Sequence, residues 1–154
     1  MIRESYLTDE DKKDLLMVKT PADLIFVAKR ELEVMRKLPG LTIQPSGPIT
    51  TGGLGSKRKN MNRFVKTIRK MQADNFKVWN ILPYEPAIDR LTKILKTTDS
   101  HWIMRDFYEP IILSELIDAM AFIDGWKGSK GARFENRLGK KRGLTMIYLP
   151  PHYV

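Results

Sequence analysis

The sequence predicts a small doubly wound α/β domain: a parallel sheet of four to five strands with helices on both faces, preceded by an N-terminal helical extension. Three observations lead there. From residue 41 to 149, short apolar strand-like runs alternate with amphipathic helical runs, the order that right-handed crossovers turn into a parallel sheet. Two of the strand-like runs lead directly into glycine-rich loops. The first forty residues hold two helix starts and no strand. The implied organisation is a helical extension over 1–40 and an α/β domain over 41–154.

Composition sets the outer bounds. At 154 residues, 42% hydrophobic and 29% charged, the chain has the make-up of one folded domain, able to bury roughly two-thirds of its unfolded surface. It has no cysteine and only two histidines, His101 and His152. That excludes disulfides, thiolate zinc sites and a cysteine nucleophile, and neither a metal nor a cofactor is expected. No apolar run approaches the roughly 18 residues a membrane span needs. The start, Met1 to Ser5, lacks the apolar core of a signal peptide, so the expectation is a cytoplasmic protein with no membrane partner.

Each element has its own signal. Thr8 with Asp11 has the spacing of a capping box and opens a short helix through Val18. Thr20-Pro21-Ala22-Asp23 repeats it with proline at the first helical position, and apolar residues from Leu24 to Leu38 recur at helical spacing until Pro39-Gly40. Leu41 to Gln44 reads as a strand, and 45–56 as a loop rich in glycine and hydroxyls. Met61, Phe64, Val65, Ile68 and Met71 mark the apolar face of a basic helix. Phe76 to Ile81 is the next strand, ended by Pro83-Tyr84-Glu85-Pro86. A helix through Ile88, Leu91, Ile94 and Leu95 follows, then a polar break at Thr97 to Ser100 and a helix from about Tyr108 to Ile117. Ala119 to Ile123 is almost wholly apolar, as a strand covered on both faces should be. After the loop 124–131 come a helix from Ala132 to about Lys141 and a last strand, Leu144 to Leu149, closed by Pro150-Pro151.

Charge is distributed unevenly. The net charge is +9, yet residues 57–70 carry seven Lys or Arg and no acid, and residues 127–142 carry seven more with Glu135 as their one acid. Both stretches follow the glycine-rich loops, so the excess suits a phosphate-bearing partner, either a small nucleotide or a nucleic acid backbone. Solvated helix faces are the other reading. In a flavodoxin-like sheet, ligands bind at the carboxyl ends of the strands beside the point where strand order reverses. The loops 45–56 and 124–131 are therefore expected on one edge, each leading into a helix N-terminus whose free N–H groups receive anions. Glu135 is expected in the first turn of its helix, held ionised by the helix dipole and by Lys130 and Arg133, poised as a nucleophile rather than a proton donor.

These residues carry a resemblance. Ser46-Gly47-Pro48-Ile49-Thr50 after the first strand, with Asp118-Ala119 leading through Gly125-Trp126 to Ser129-Lys130-Gly131-Ala132-Arg133-Phe134-Glu135, resembles the nucleoside 2-deoxyribosyltransferase-like superfamily over roughly 41–149. That group includes deoxynucleoside 5′-monophosphate N-glycosidases and many small bacterial and bacteriophage proteins. The resemblance implies cleavage of the bond between a nucleobase and C1′ of the sugar. The glutamate matching Glu135 attacks C1′ and forms a glycosyl-enzyme intermediate, which passes to water in a hydrolase or to a second base in a transferase. Ser129 matches a phosphate-contacting serine, and with Lys130, Gly131 and Ala132 it points to a 5′-phosphorylated substrate. The loop 45–56 would form the opposite wall. The family's second acid lies on the helix before Asp118, where Asp106 and Glu109 are the candidates, with Asp106 slightly preferred.

Trp79, Tyr84 and Trp126 are candidates to stack on a base, with core packing the other reading for Trp79. The chain departs from the family where many relatives carry a tyrosine: Gln44 stands there, followed by Pro45, and the loop 51–59 is long and basic. Those departures open a second reading, a protein that binds and sequesters a nucleotide without cleaving it. Nucleic acid binding through the two basic helices is a third. Relatives usually assemble as dimers or larger oligomers, so a homo-oligomer is expected, with the N-terminal helices and the tail from Pro151 either at its interface or packed on their own subunit.

Overall fold

Both capping boxes form. Thr8 Oγ1 accepts from the Asp11 N–H at 3.0 Å, and Asp11 accepts in return from the Thr8 N–H at 2.9 Å. Thr20 and Asp23 repeat the exchange at 3.2 and 3.1 Å. They start α1 (Asp9–Met17) and α2 (Pro21–Arg36). The computed structural model describes residues 5–49, 53–95 and 101–153. The remaining elements are β1 (Thr42–Ser46), α3 (Lys57–Ala73), β2 (Lys77–Val78), α4 (Glu85–Ile94), α5 (His101–Ile103), α6 (Glu109–Leu113), β3 (Ala119–Phe122), α7 (Lys130–Arg142) and β4 (Thr145–Tyr148). No described helix is long and apolar enough to cross a membrane.

The four strands are all parallel, in the order β2-β1-β3-β4. This is the flavodoxin-like order, with its reversal between β1 and β3. Crossovers leave those two strands in opposite directions, so right-handedness puts α3 and α7 on opposite faces. Alternation along the strands sends Gln44, Ser46, Met120 and Tyr148 to the α7 face. Gly139 of α7 lies so close to that face that a Cβ there would sit 3.0 Å from Met120 Sδ.

Three elements before α7 differ from the reading of the sequence. β1 runs through Pro45 to Ser46. Thr42 and Ser46 turn their carbonyls to β3, whereas the Ile43 carbonyl accepts from the Trp79 N–H on the β2 side. The N–H that Pro45 lacks would face β2 beyond Val78, where pairing has ended, so no ladder bond is lost. The strand expected over 76–81 is correspondingly short, and its end curls into a 3-10 turn, Leu82–Tyr84. The helix expected from Tyr108 starts earlier, running from His101 through a π-helical segment, Met104–Tyr108, into α6. The polar break expected at Thr97 to Ser100 lies outside the described residues.

The helices before residue 40 share the core of the sheet: Leu24, Leu32 and Met35 are buried in one cluster with Phe64, Trp79 and Phe122. Two buried charged side chains fix them there. Glu31 Oε1 accepts from Trp79 Nε1 at 2.9 Å and from the Tyr84 hydroxyl at 2.8 Å, while Oε2 accepts from the Tyr6 N–H and the Ser5 hydroxyl. Burial pushes the Glu31 carboxyl above its ordinary range and these four donors pull it back. Lys77 Nζ donates to the Met35 and Leu38 carbonyls at 2.7 and 2.8 Å, satisfying the C-terminal end of α2.

Replacing Glu31 with Leu strands the Trp79 and Tyr84 donors in the core, at about 1–3 kcal/mol each. Urea unfolding of Glu31→Leu is expected to show a loss of about 2–5 kcal/mol. Glu31→Gln, which keeps an acceptor, loses less. An unchanged midpoint for Glu31→Leu would remove this carboxyl from the framework.

Candidate functional site

The two glycine-rich turns meet on the carboxyl edge of the sheet. The Ile123 N–H donates to the Ser46 carbonyl at 2.9 Å, and a Cβ on Gly47 would lie 2.9 Å from Ile123 Cβ. Only a glycine lets the turns close to that distance. Pro48 is buried, and Ile49 accepts through its carbonyl from Asn60 Nδ2 at 3.2 Å. Asn60 Oδ1 takes the Leu54 N–H at 2.8 Å, so the first turn of α3 holds both ends of the loop. Gly53, at φ +58°, leaves no room for a side chain between Asn60 and Pro48. Thr50 lies outside the described residues. On the other side, Gly125 adopts φ +87°, and Arg63 of α3 donates to the Asp124 carbonyl beside it.

Glu135 lies between these turns, on the face of α7 that looks onto β1. Its Oε2 accepts from Gln44 Nε2 at 2.6 Å and its Oε1 from the Ser46 hydroxyl at 3.2 Å. The side chain is 8% exposed. Burial pushes its carboxyl up to about 8, against the pull of the Ser46 and Gln44 hydrogen bonds. Gln44 Oε1 is buried with no hydrogen-bond partner among the described residues. It is an acceptor available to a hydroxyl or to the Glu135 proton itself.

The expectation of an ionised Glu135 is therefore corrected. α7 starts at Lys130, two residues earlier than expected, which puts Glu135 in the second turn, where the helix dipole has faded. Lys130 is exposed, and Arg133 Nη1 turns away to the Lys127 carbonyl at 2.7 Å. With no cation among the described residues at the carboxyl, desolvation dominates.

Other expected residues take roles the sequence left open. Ser129 is buried and caps α7, its Oγ accepting from the Ala132 N–H at 3.2 Å. Its hydroxyl proton and the N–H groups of Lys130 and Gly131 remain at the helix start to meet an anion. Gly131 faces Met104, whose Sδ would lie 3.3 Å from a Cβ there, bringing the π-helical segment against α7. Trp79 and Tyr84 are wholly buried on Glu31 and so cannot stack on a base. Trp126 is half-buried and stacks at 5.8 Å on Tyr148, so it remains a candidate.

Of the two expected acids, Asp106 is held by Arg105 through contacts of 2.9 and 3.0 Å at the exposed surface. That guanidinium keeps its carboxyl below the ordinary range, which makes it a poor proton donor at neutral pH. Glu109 is half-buried at the start of α6.

Glu85, not singled out from the sequence, is better suited. It opens α4 directly after the β2 turn, on the same edge of the sheet. Burial raises its carboxyl, with the charge of Asp89 adding to the rise and Lys57 opposing it. The buried Tyr108 phenol is raised first by burial and further by the charges of Glu85 and Glu135. Its signal was available: a carboxylate following a strand end, in the position that singled out the other two loops. No family model, curated protein or solved structure matches the chain.

The pH dependence of stability tests this geometry. Glu135 moves from an ordinary 4.5 to about 8 on folding. The native protein keeps a proton that the unfolded chain releases across that window. The stabilisation is complete below the window and is lost as pH rises through it. Glu135→Gln removes the effect, so at pH above about 8 the variant is expected to be more stable than the parent by on the order of a few kcal/mol, with the gap closing toward pH 5. A gap independent of pH would show that the carboxyl is not desolvated.

Proposed function

We propose that the protein cleaves or exchanges the N-glycosidic bond of a nucleotide or nucleoside. What carries the reading is a buried carboxyl, Glu135, aimed at the end of β1 where strand order reverses, beside the helix N-terminus at Ser129. A 5′-phosphate on the α7 N–H groups, with Lys130 near, sets the sugar against β1. Gln44 and Ser46 hold the nucleophile at the floor. Ionised Glu135 attacks C1′, an oxygen–carbon bond forms, and the bond to the base breaks with its electrons leaving on the base nitrogen. Glu85 supplies the proton to that nitrogen. Water, deprotonated by Glu85, then displaces the carboxylate and restores both groups; an acceptor base in place of water gives exchange.

The raised carboxyl supports a second reading. A Glu135 that is neutral at physiological pH and hydrogen-bonded to Gln44 is a binding group rather than a nucleophile, as in a protein that sequesters a nucleotide without turnover.

Incubation with the four deoxynucleoside 5′-monophosphates, followed by chromatography for free base, separates the two. Release is expected, with a bell-shaped dependence of kcat/KM on pH, its rise set by ionisation of Glu135 and its fall by loss of the Glu85 proton. Glu135→Ala abolishes release and retains binding by calorimetry, and Glu85→Gln lowers kcat by about 10²–10⁴. Binding without release in the parent protein selects sequestration. Release that persists in Glu135→Ala removes this residue from the chemistry.

A further inference from the structure

We propose that Gln44 reads the 2′-hydroxyl of a ribonucleotide through its amide oxygen. The side chain is wholly buried, and its Nε2 donates to Glu135 Oε2 at 2.6 Å. Its Oε1 has no hydrogen-bond partner among the described residues, and the surroundings explain why. On β3 the residue in register with Gln44 is Met120, and the next residue of β1 is Pro45, which has no N–H. Thr42, two residues back on the same face, also has a buried hydroxyl oxygen without a partner, so it makes no bond to Gln44. An amide oxygen shut away from water costs free energy until a donor reaches it. The floor of the site therefore lacks a donor, and it lacks it directly beside the carboxyl of Glu135.

Position selects the donor, given the attack of Glu135 on C1′ on which this inference rests. A nucleophile approaches C1′ from the side opposite the base. In a ribonucleotide the 2′-hydroxyl lies on that side, on the carbon next to C1′. An acceptor bonded through its own amide to the attacking carboxyl is placed to take this hydroxyl. As positive charge builds at C1′ the hydroxyl becomes a better donor, so the bond tightens toward the transition state. The hydroxyl also fixes the amide the right way round. Gln44 can turn its oxygen to a protonated Glu135, but an ionised carboxylate only accepts, so attack requires Nε2 toward Glu135 and Oε1 away from it. A donor at Oε1 holds that orientation.

Other sugars fit less well. The 3′-hydroxyl is on the same side but one carbon farther from C1′. An arabinonucleotide carries its 2′-hydroxyl on the side of the base, away from Glu135. A 2′-deoxynucleotide has none, so the Gln44 oxygen stays unpaired in its complex. Its phosphate and C1′ still find their places, and it is bound and cleaved less well rather than excluded. The same acceptor serves whether the bound nucleotide is cleaved or only held.

Calorimetry of the full chain with three base-free probes, which cannot be cleaved, tests this apart from turnover: 1,4-anhydroribitol 5-phosphate, its 2-deoxy analogue and 1,4-anhydroarabinitol 5-phosphate. The ribitol probe is expected to bind about 10- to 100-fold more tightly than either of the others. In Gln44→Met, which keeps the length of the side chain and loses both polar atoms, that preference is expected to disappear. Thermal melting shows whether the variant folds, and the series on the parent protein decides the matter without it. Equal binding of the ribitol and 2-deoxy probes, an arabinitol probe as tight as the ribitol one, or an undiminished preference in folded Gln44→Met would each overturn the proposal and leave cleavage at Glu135 standing. Binding of none of the three overturns both. Preference for the ribitol probe in a protein that releases no base from nucleotides removes the cleavage and keeps the recognition.

Discussion

The hydrogen bonds from Gln44 and Ser46 to the Glu135 carboxyl join α7 to β1 across the covered face of the sheet, and the geometry of the carboxyl edge depends on them. They bridge segments about ninety residues apart. To make them, β1 must run three residues past its pairing with β2, which Pro45 permits because its missing N–H falls where that pairing has already stopped. The helix must also begin at Lys130, so that the second turn carries its carboxyl inward. Each condition is met by a local feature, and together they bury an ionisable group where no cation among the described residues pairs with it. Desolvation then sets its proton affinity.

A second buried carboxyl supports the same edge from behind. Glu31 gathers donors from Ser5 and Tyr6, from Trp79 just after β2 and from the turn that precedes α4, so α2 is tied to the segment that presents Glu85. The indole and phenol it holds, Trp79 and Tyr84, form an aromatic cluster with Phe107 of the π-helical segment. Tyr108, the next residue, lies within the field of Glu85 and Glu135. Packed aromatic structure thus stands beside the two carboxyls, and burial raises both, Glu135 to about 8.

Much of the fold was legible in the sequence, because its signals are local. Capping boxes at Thr8 and Thr20, the apolar run at Ala119 and the glycine turns act within a few residues, and the doubly wound parallel sheet follows from the order of elements. The meeting of the two turns was legible for the same reason, since both follow strands of one sheet. Other features needed contacts distant in the chain. Nothing near Trp79 or Tyr84 announces that Glu31 will claim their polar atoms, and so remove them from any role in stacking. The ionisation of Glu135 was misread because charge neighbours in sequence, Lys130 and Arg133, are not neighbours in space. Asp106 was favoured by its position along the chain, whereas its pairing with Arg105 leaves Glu85 as the better acid.

The central claim is that a carboxyl at the reversal point of the sheet is buried and neutral at physiological pH. Carbon-13 NMR of the side-chain carboxyls, with the Glu135 resonance assigned by its absence from Glu135→Gln, measures this directly. The account predicts a midpoint near 8 for that one resonance. A midpoint near the ordinary 4.5 would mean that Glu135 is open to water or paired with a cation, and would contradict the arrangement on which the site is built.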